Sequence, residues 1–167
     1  MKATVIDSPI GPLLSVVDAR GRLLRLDLPK GRTADVMLRD AGGVDRDQAA
    51  GRHVARQLDQ YFAGELRQFD LETAPDGTTF QRSVWRLLER VPYGETWSYG
   101  EMARRLEKPG AARAVGRANG VNPIAIIIPC HRVIGANGTL TGYGGGLVAK
   151  RRLLDLERGF GDPVVRL

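Results

Sequence analysis

The apolar positions of this chain change period along its length. In the first 30 residues they come in short runs, "ATVIDS", "PLLSVVD" and "RLLRLDL", separated by Ser8-Pro9-Ile10-Gly11-Pro12 and Asp18-Ala19-Arg20-Gly21. Those breaks are turn chemistry, so the runs predict a small antiparallel meander. Residues 30–47 are polar and glycine-rich and predict a loop with little regular structure. In "DQAAGRHVARQLDQYFAGEL", Val54, Leu58, Tyr61 and Phe62 recur at i, i+4, i+7 and i+8, one face of a helix that closes near Gly64. His53 adjoins that face and is given no role. "LETAPDGTT" (71–79) has the composition of a linker, and a domain boundary is placed within it. In "TFQRSVWRLLERV", Phe80, Val84, Leu87, Leu88 and Val91 form one stripe of a helix that stops at Pro92.

The segment "SYGEMARRLEKPGAARAVGRANGVNP" predicts two short helices with a tight turn between them. Ser98 and Glu101 form S-x-x-E, a capping box that opens the first. Tyr99, Met102, Ala103 and Leu106 are its apolar face, and Glu107-Lys108-Pro109-Gly110 breaks it. The second runs from about Ala111 to Ala118 and ends at Asn119-Gly120. The pair resembles a helix-turn-helix. Its second helix is built of small residues around Arg113 and Arg117, which share a face at i, i+4. Gly116 costs a helix about 1 kcal/mol against Ala, which points to close packing at that position.

Together these elements predict an α/β chain of the α+β kind. A small N-terminal antiparallel-sheet domain with a helix spans 1–74. A mostly helical C-terminal domain spans 75–160, with the helix-turn-helix and a short strand leading to Cys130. Residues 161–167 form a tail. The formal charge is +6. From Ser98 to Gly135 there are six Lys/Arg against two Asp/Glu, a net of +4, so most of the excess lies on the helical pair and the residues just after it. That balance suits a polyanionic partner, and it also suits plain solubility. No run approaches the roughly 18 apolar residues of a membrane span. The start, "MKATVIDSPIGPLL", lacks an export signal, and one cysteine cannot form an internal disulfide. A cytoplasmic protein with no membrane association is expected. No CxxC or HExxH pattern occurs, so neither a metal nor a cofactor is expected.

That one cysteine lies in "VNPIAIIIPCHRVIG". Ile124 to Ile128 is apolar without alternation, which predicts a short strand buried on both faces, stopped by Pro129 and delivering Cys130 at its end. A lone cysteine is often a small buried hydrophobe. Here His131 and Arg132 adjoin it, positive neighbours that favour thiolate, and the glycine-rich "GTLTGYGGG" comes next, where backbone can approach a ligand. In "LVAKRRLLDLER", Leu153 and Leu154 belong to a buried stripe. Glu157, at i+4 and i+3 from them, points at the core and needs a partner. His131 would make an acid–histidine–thiol relay, and Arg132 would make a salt bridge; spacing leaves both open.

"NPIAIIIPCHRVIG", with "SYGEMA", "AARAVGRANG" and "GYGGG", closely resembles the O6-alkylguanine-DNA alkyltransferase (methylated-DNA–protein-cysteine methyltransferase) family, and "SPIGPL" and "YFAGEL" resemble its N-terminal domain. The resemblance covers nearly the whole chain. It implies single-turnover DNA repair: a flipped O6-alkylguanine, or O4-alkylthymine, gives up its alkyl group irreversibly to Cys130. It implies that His131 takes the thiol proton through a water, that Glu157 orients His131, and that Asn122 braces the turn before Cys130. Tyr99 would donate a hydrogen bond or a proton to guanine N3 and crowd the neighbouring phosphate. The carbonyls of Cys130 and Val133 would read the guanine amino group, and the amide of Gly144, beside Tyr143, would face O6. Arg113 would fill the gap left by the flipped nucleotide, with Ala112, Arg117 and Ser98 also on the DNA, and the second helix would enter the minor groove of the duplex. The protein would be a monomer in solution, able to bind DNA cooperatively.

Two positions depart from some relatives: Gly144 stands where they carry serine, and Ala125 where they carry proline. No Cys/His set matches the zinc site that some N-terminal domains hold. A papain-like hydrolase fails for want of a distant second histidine with an asparagine partner. A helix-turn-helix regulator with a structural cysteine is the other alternative.

Overall fold

The computed structural model describes residues 1–140 and 142–159. The expected tail, and residue 160 of the expected second domain, lie outside them.

The opening apolar runs pair as predicted. β1 (Lys2–Ile6) lies antiparallel to β2 (Leu13–Val17), and β2 antiparallel to β3 (Leu23–Asp27). The stretch read as a structureless loop instead holds α1 (Ala34–Ala41) and β4 (Asp45–Arg46), which adds parallel to β1 for a sheet order β3-β2-β1-β4. Thr33 caps α1 by accepting the Val36 N–H. Ala34, Met37, Leu38 and Ala41 recur at i, i+3, i+4 and i+7, a short helical stripe masked by the polar and glycine-rich residues around it, and only Met37 of it is fully buried. Met37 covers one face of the sheet with Ala3, Leu14 and Val16.

The other face of the sheet shares one continuous core with α2 (Arg52–Phe62) and the C-terminal helices. His53, left without a role, lies 3.1 Å through Nε2 from the Gly21 carbonyl. α3 (Thr79–Leu88) opens on a complete capping box, Thr78 with Gln81, and α4 (Tyr99–Arg105) and α5 (Ala112–Gly120) form the expected hairpin. The box predicted at Ser98 is only half made. Ser98 Oγ accepts the Glu101 N–H at 3.1 Å, but the Glu101 carboxylate turns outward to Arg105. α5 runs to Gly120 rather than stopping at Ala118, and Asn119, expected to end it, lies buried within its last turn.

β3 positions the functional site. Its outer edge donates the Leu26 N–H to the Pro123 carbonyl (2.9 Å) and accepts the Ala125 N–H (3.1 Å). The sheet thus pins the segment that leads to Cys130. The strand predicted over Ile124–Ile128 does not form. These residues are largely buried, as expected, but they coil as a tight turn with Ile126 at φ +71°. The two prolines at 123 and 129 each remove an N–H. The amide of Asn122 takes the place of a ladder partner, accepting the Ile124 N–H (3.0 Å) and donating to the Ile128 carbonyl (2.8 Å). A β-branched residue at positive φ is strained, and this bracing holds it there. No described helix is long and apolar enough to cross a membrane.

Candidate active site

From that turn the chain enters a single 3-10 turn, Cys130–Arg132, and then β6 (Val133–Ile134), which pairs in parallel with β5 (Trp97–Ser98). The short ladder ties the start of α4, with Ser98 and Tyr99, to the residues after Cys130. The tight winding of Cys130-His131-Arg132 leaves Cys130 on a cavity and turns the two basic side chains toward α6 (Leu147–Glu157). Both His131 and Arg132 reach Glu157 of that helix.

The two partners left open for Glu157 are therefore both present. Its Oε1 lies 2.7 Å from His131 Nε2. Arg132 donates Nε to Oε2 and Nη2 to Oε1, each at 2.9 Å, and Nη1 to the Val91 carbonyl at 2.8 Å. Tyr61 of α2 donates its hydroxyl to the same Oε1 at 2.7 Å. Burial alone would raise the Glu157 pKa; the His131 and Arg132 contacts outweigh it and hold the carboxyl at about 2. Burial pushes the His131 pKa down against the pull of Glu157, so the imidazole is neutral near pH 7. With Nε2–H engaged by the carboxylate, Nδ1 is the acceptor nitrogen, and it is buried with no hydrogen-bond partner among the described residues.

Cys130 is 5% exposed and lines a cavity of about 260 Å³ together with Asn119, Asn122, Ala125, Tyr143 and Gly144. The far wall comes from Arg25 to Leu28, Lys30 and Arg32, at the end of β3 and beyond. Burial raises the thiol pKa. The Asn122 side chain, the charge of Lys150 and the Tyr143 hydroxyl pull it back only in part. The expectation that adjacent basic residues favour thiolate is thus not met in the resting site. Arg132 is committed to Glu157, and His131 is neutral. The cation that the thiol feels is Lys150, which is fully buried on α6 and donates Nζ to the Val133 carbonyl at 2.6 Å.

Of the other residues singled out in the sequence, Tyr99 opens α4 and lies beside Gly116 of α5. A methyl group at Gly116 would meet the Tyr99 ring at 3.8 Å, ordinary contact, so packing within the chain does not demand glycine there. Arg113 and Arg117 are exposed on α5 and make no ion pair among the described residues. Ala112 is the first residue of α5. None of Tyr99, Ser98, Ala112, Arg113, Arg117 or Val133 lines the thiol cavity, whereas Cys130, Asn122, Tyr143 and Gly144 do. The Cys130 carbonyl already accepts the Val133 N–H and, at 3.3 Å, Asn119 Nδ2.

Comparison with known proteins gives this arrangement a family. Residues 1–75 match the ribonuclease-like domain of 6-O-methylguanine DNA methyltransferase, and residues 79–159 its DNA binding domain. The methylated-DNA–protein-cysteine methyltransferase of Methanosarcina acetivorans is 51% identical over 94% of this chain and 98% of its own. The Mycobacterium bovis protein of the same name is 52% identical over 92% of this chain and 90% of its own. The chain belongs to the 6-O-methylguanine DNA methyltransferase family. The crystal structure of Mycobacterium tuberculosis OGT in complex with DNA superposes with a TM-score of 0.85 at 50% identity, covering 96% of this chain and 95% of that one.

In this methyltransferase three side chains enter the site that sequence reasoning did not select: Tyr61, Asn119 and Lys150. Lys150 had a signal. It precedes Leu153, Leu154 and Glu157 at the spacing of the same buried stripe, one turn earlier. Tyr61 and Asn119 had none, because contacts across the fold bring them there.

Proposed function

We propose that this chain repairs duplex DNA carrying O6-alkylguanine, and O4-alkylthymine, by moving the alkyl group irreversibly to Cys130. The observation that carries the reading is the thiol in a cavity, next to a histidine whose Nε2 is held by an ionised carboxylate and whose Nδ1 has no partner among the described residues. That is the arrangement of a thiol activated at the moment of reaction. The 50% identical protein crystallised with DNA supports DNA as the partner. Arg113 and Arg117, exposed on α5 and without an ion pair among the described residues, support that helix as the contact surface.

The O6 atom of a paired guanine is partly hidden in the base stack, so the nucleotide must swing out. That costs a few kcal/mol, less for an alkylated base that pairs poorly. α5 enters the minor groove, where its small residues permit close approach, and Arg113 fills the gap. In the cavity, the Gly144 amide faces O6; the Val133 carbonyl, which does not line the cavity and already accepts from Lys150, has one lone pair left for the guanine amino group once the base is seated. The Cys130 carbonyl, already doubly engaged, contributes by sharing with Asn119.

The thiol proton passes through a water to His131 Nδ1, and Glu157 balances the imidazolium. The sulfur attacks the alkyl carbon in line; the carbon–O6 bond breaks and its electron pair stays on the guanine. Tyr99 gives a proton to N3 and is reprotonated from solvent, as His131 returns its own. One thioether forms, one guanine is restored, and nothing in the site can cleave the thioether. The protein acts once, as a monomer.

Intact mass after incubation with a duplex holding one O6-methylguanine tests this. A gain of one methyl group per chain, on Cys130 and lost in Cys130→Ala, is expected. DNA binding without mass gain would overturn it and leave a helix-turn-helix regulator.

A further inference from the structure

Glu157 Oε1 carries more than the relay needs. It receives His131 Nε2 at 2.7 Å, Arg132 Nη2 at 2.9 Å and the Tyr61 hydroxyl at 2.7 Å, whereas among the described residues Oε2 receives only Arg132 Nε at 2.9 Å. Tyr61 is 96 positions away in sequence, on α2, and fully buried. Its ring is fixed on three sides, edge-on to Phe62 and Tyr93 with centroids at 5.3 and 6.3 Å, and tilted against Phe69 at 5.3 Å. A hydroxyl on so rigid a ring has one position, and Glu157 lies at the end of it. Burial and the neighbouring carboxylate both raise the Tyr61 pKa far above its ordinary value, so the hydroxyl keeps its proton and acts only as a donor.

We infer that Tyr61 is a positioning residue for alkyl transfer, through which the N-terminal half of the chain sets the protonation behaviour of His131. The chemistry follows from competition at one oxygen. A carboxylate oxygen that accepts from three donors is a weak base. It orients the His131 Nε2–H without drawing off its proton, and the imidazole stays in the tautomer that leaves Nδ1 facing outward to accept. Without the Tyr61 donor, Oε1 is free to shift and pulls harder on the one mobile proton it still touches. The Nε2–H···Oε1 hydrogen bond strengthens and makes Nδ1 more basic, but Nδ1 also moves relative to the thiol, and it is this displacement that slows the transfer. Arg132 cannot substitute, since both of its bonds to Glu157 are already made. The inference rests on the alkyl-transfer reading above.

Tyr61→Phe tests it, because it deletes the oxygen and keeps the ring packing. The expected result is an about tenfold slower alkyl transfer, equal for an alkylated duplex and for free O6-benzylguanine, the scale of one hydrogen bond to a charged group felt in the transition state. The two histidines of the chain allow a direct readout. In protein labelled with 15N-histidine, the His131 Nε2 and Nδ1 resonances should shift in Tyr61→Phe while those of His53 stay in place. Three outcomes overturn the inference: an unchanged rate; a loss confined to the duplex, which would place Tyr61 in DNA engagement; or a slower rate with unmoved His131 resonances, which would make it packing alone. If the parent protein transfers no alkyl group, the function proposed above fails, and the 15N comparison still decides whether Tyr61 controls His131.

Discussion

Arg132 grips Glu157 at both ends of the carboxylate, Nε to Oε2 and Nη2 to Oε1, each at 2.9 Å, with both side chains nearly or wholly buried. A basic residue next to the cysteine thus serves the carboxylate rather than the thiol. Removing one member of a buried pair leaves the other charged and unmatched, at a cost of about 3–5 kcal/mol. Arg132→Ala should lose that much stability in urea unfolding. Arg132→Lys should recover only part of it, because an ammonium cannot span two oxygens and the Val91 carbonyl together. Equal stability of Arg132→Ala and the parent would contradict the pairing.

The acid limb of stability follows from Glu157. Its carboxyl is held at about 2, below the ordinary 4.5, so the unfolded chain takes up a proton first as the pH falls. The stabilisation is fully present above about 4.5 and is lost as the pH approaches about 2. It amounts to about 3 kcal/mol. Glu157→Gln should flatten the dependence of the urea midpoint on pH across that window, and a parallel dependence in both proteins would refute the assignment.

The Cys130 thiol titrates above its ordinary 9.0 because it is buried. Its carboxamidomethylation by iodoacetamide should therefore keep accelerating past pH 9 in the protein without DNA. A plateau below pH 7 would mean a preformed thiolate.

Arg113 is exposed on α5 and makes no ion pair among the described residues, as a group that works on DNA requires. Arg113→Ala should slow repair of an alkylated duplex about tenfold or more, the scale of the flipping cost, and leave the reaction with free O6-benzylguanine unchanged. Equal losses on the two substrates would place Arg113 in the chemistry instead.

Asn122 holds the strained turn through the Ile124 N–H and the Ile128 carbonyl. Asn122→Ala leaves both without that partner and should destabilise the protein by about 2–3 kcal/mol. Because Ile126 is then free to leave φ +71°, transfer to Cys130 should slow more than the stability loss alone explains. A full rate in a destabilised variant would limit Asn122 to folding.

Much of this was written in local patterns. Alternating runs broken by Pro and Gly determined the meander, and periods of three and four determined α2, α3 and the α4–α5 hairpin, because burial of one face imposes those periods wherever the element sits. The inward aim of Glu157 was legible for the same reason, two leucines on its stripe. Tertiary structure decided the rest. An apolar run between two prolines could be a buried strand or a buried turn, and burial alone does not distinguish them; the edge of β3 and the Asn122 amide made it a turn. Two basic residues beside a cysteine could serve the thiol or a distant carboxylate, and the 3-10 winding sent both to Glu157. Tyr61 reached the relay only because the fold brings α2 beside the end of α6. Periodicity records which face of an element is covered, whereas the partner of a buried polar atom depends on what the fold brings opposite to it.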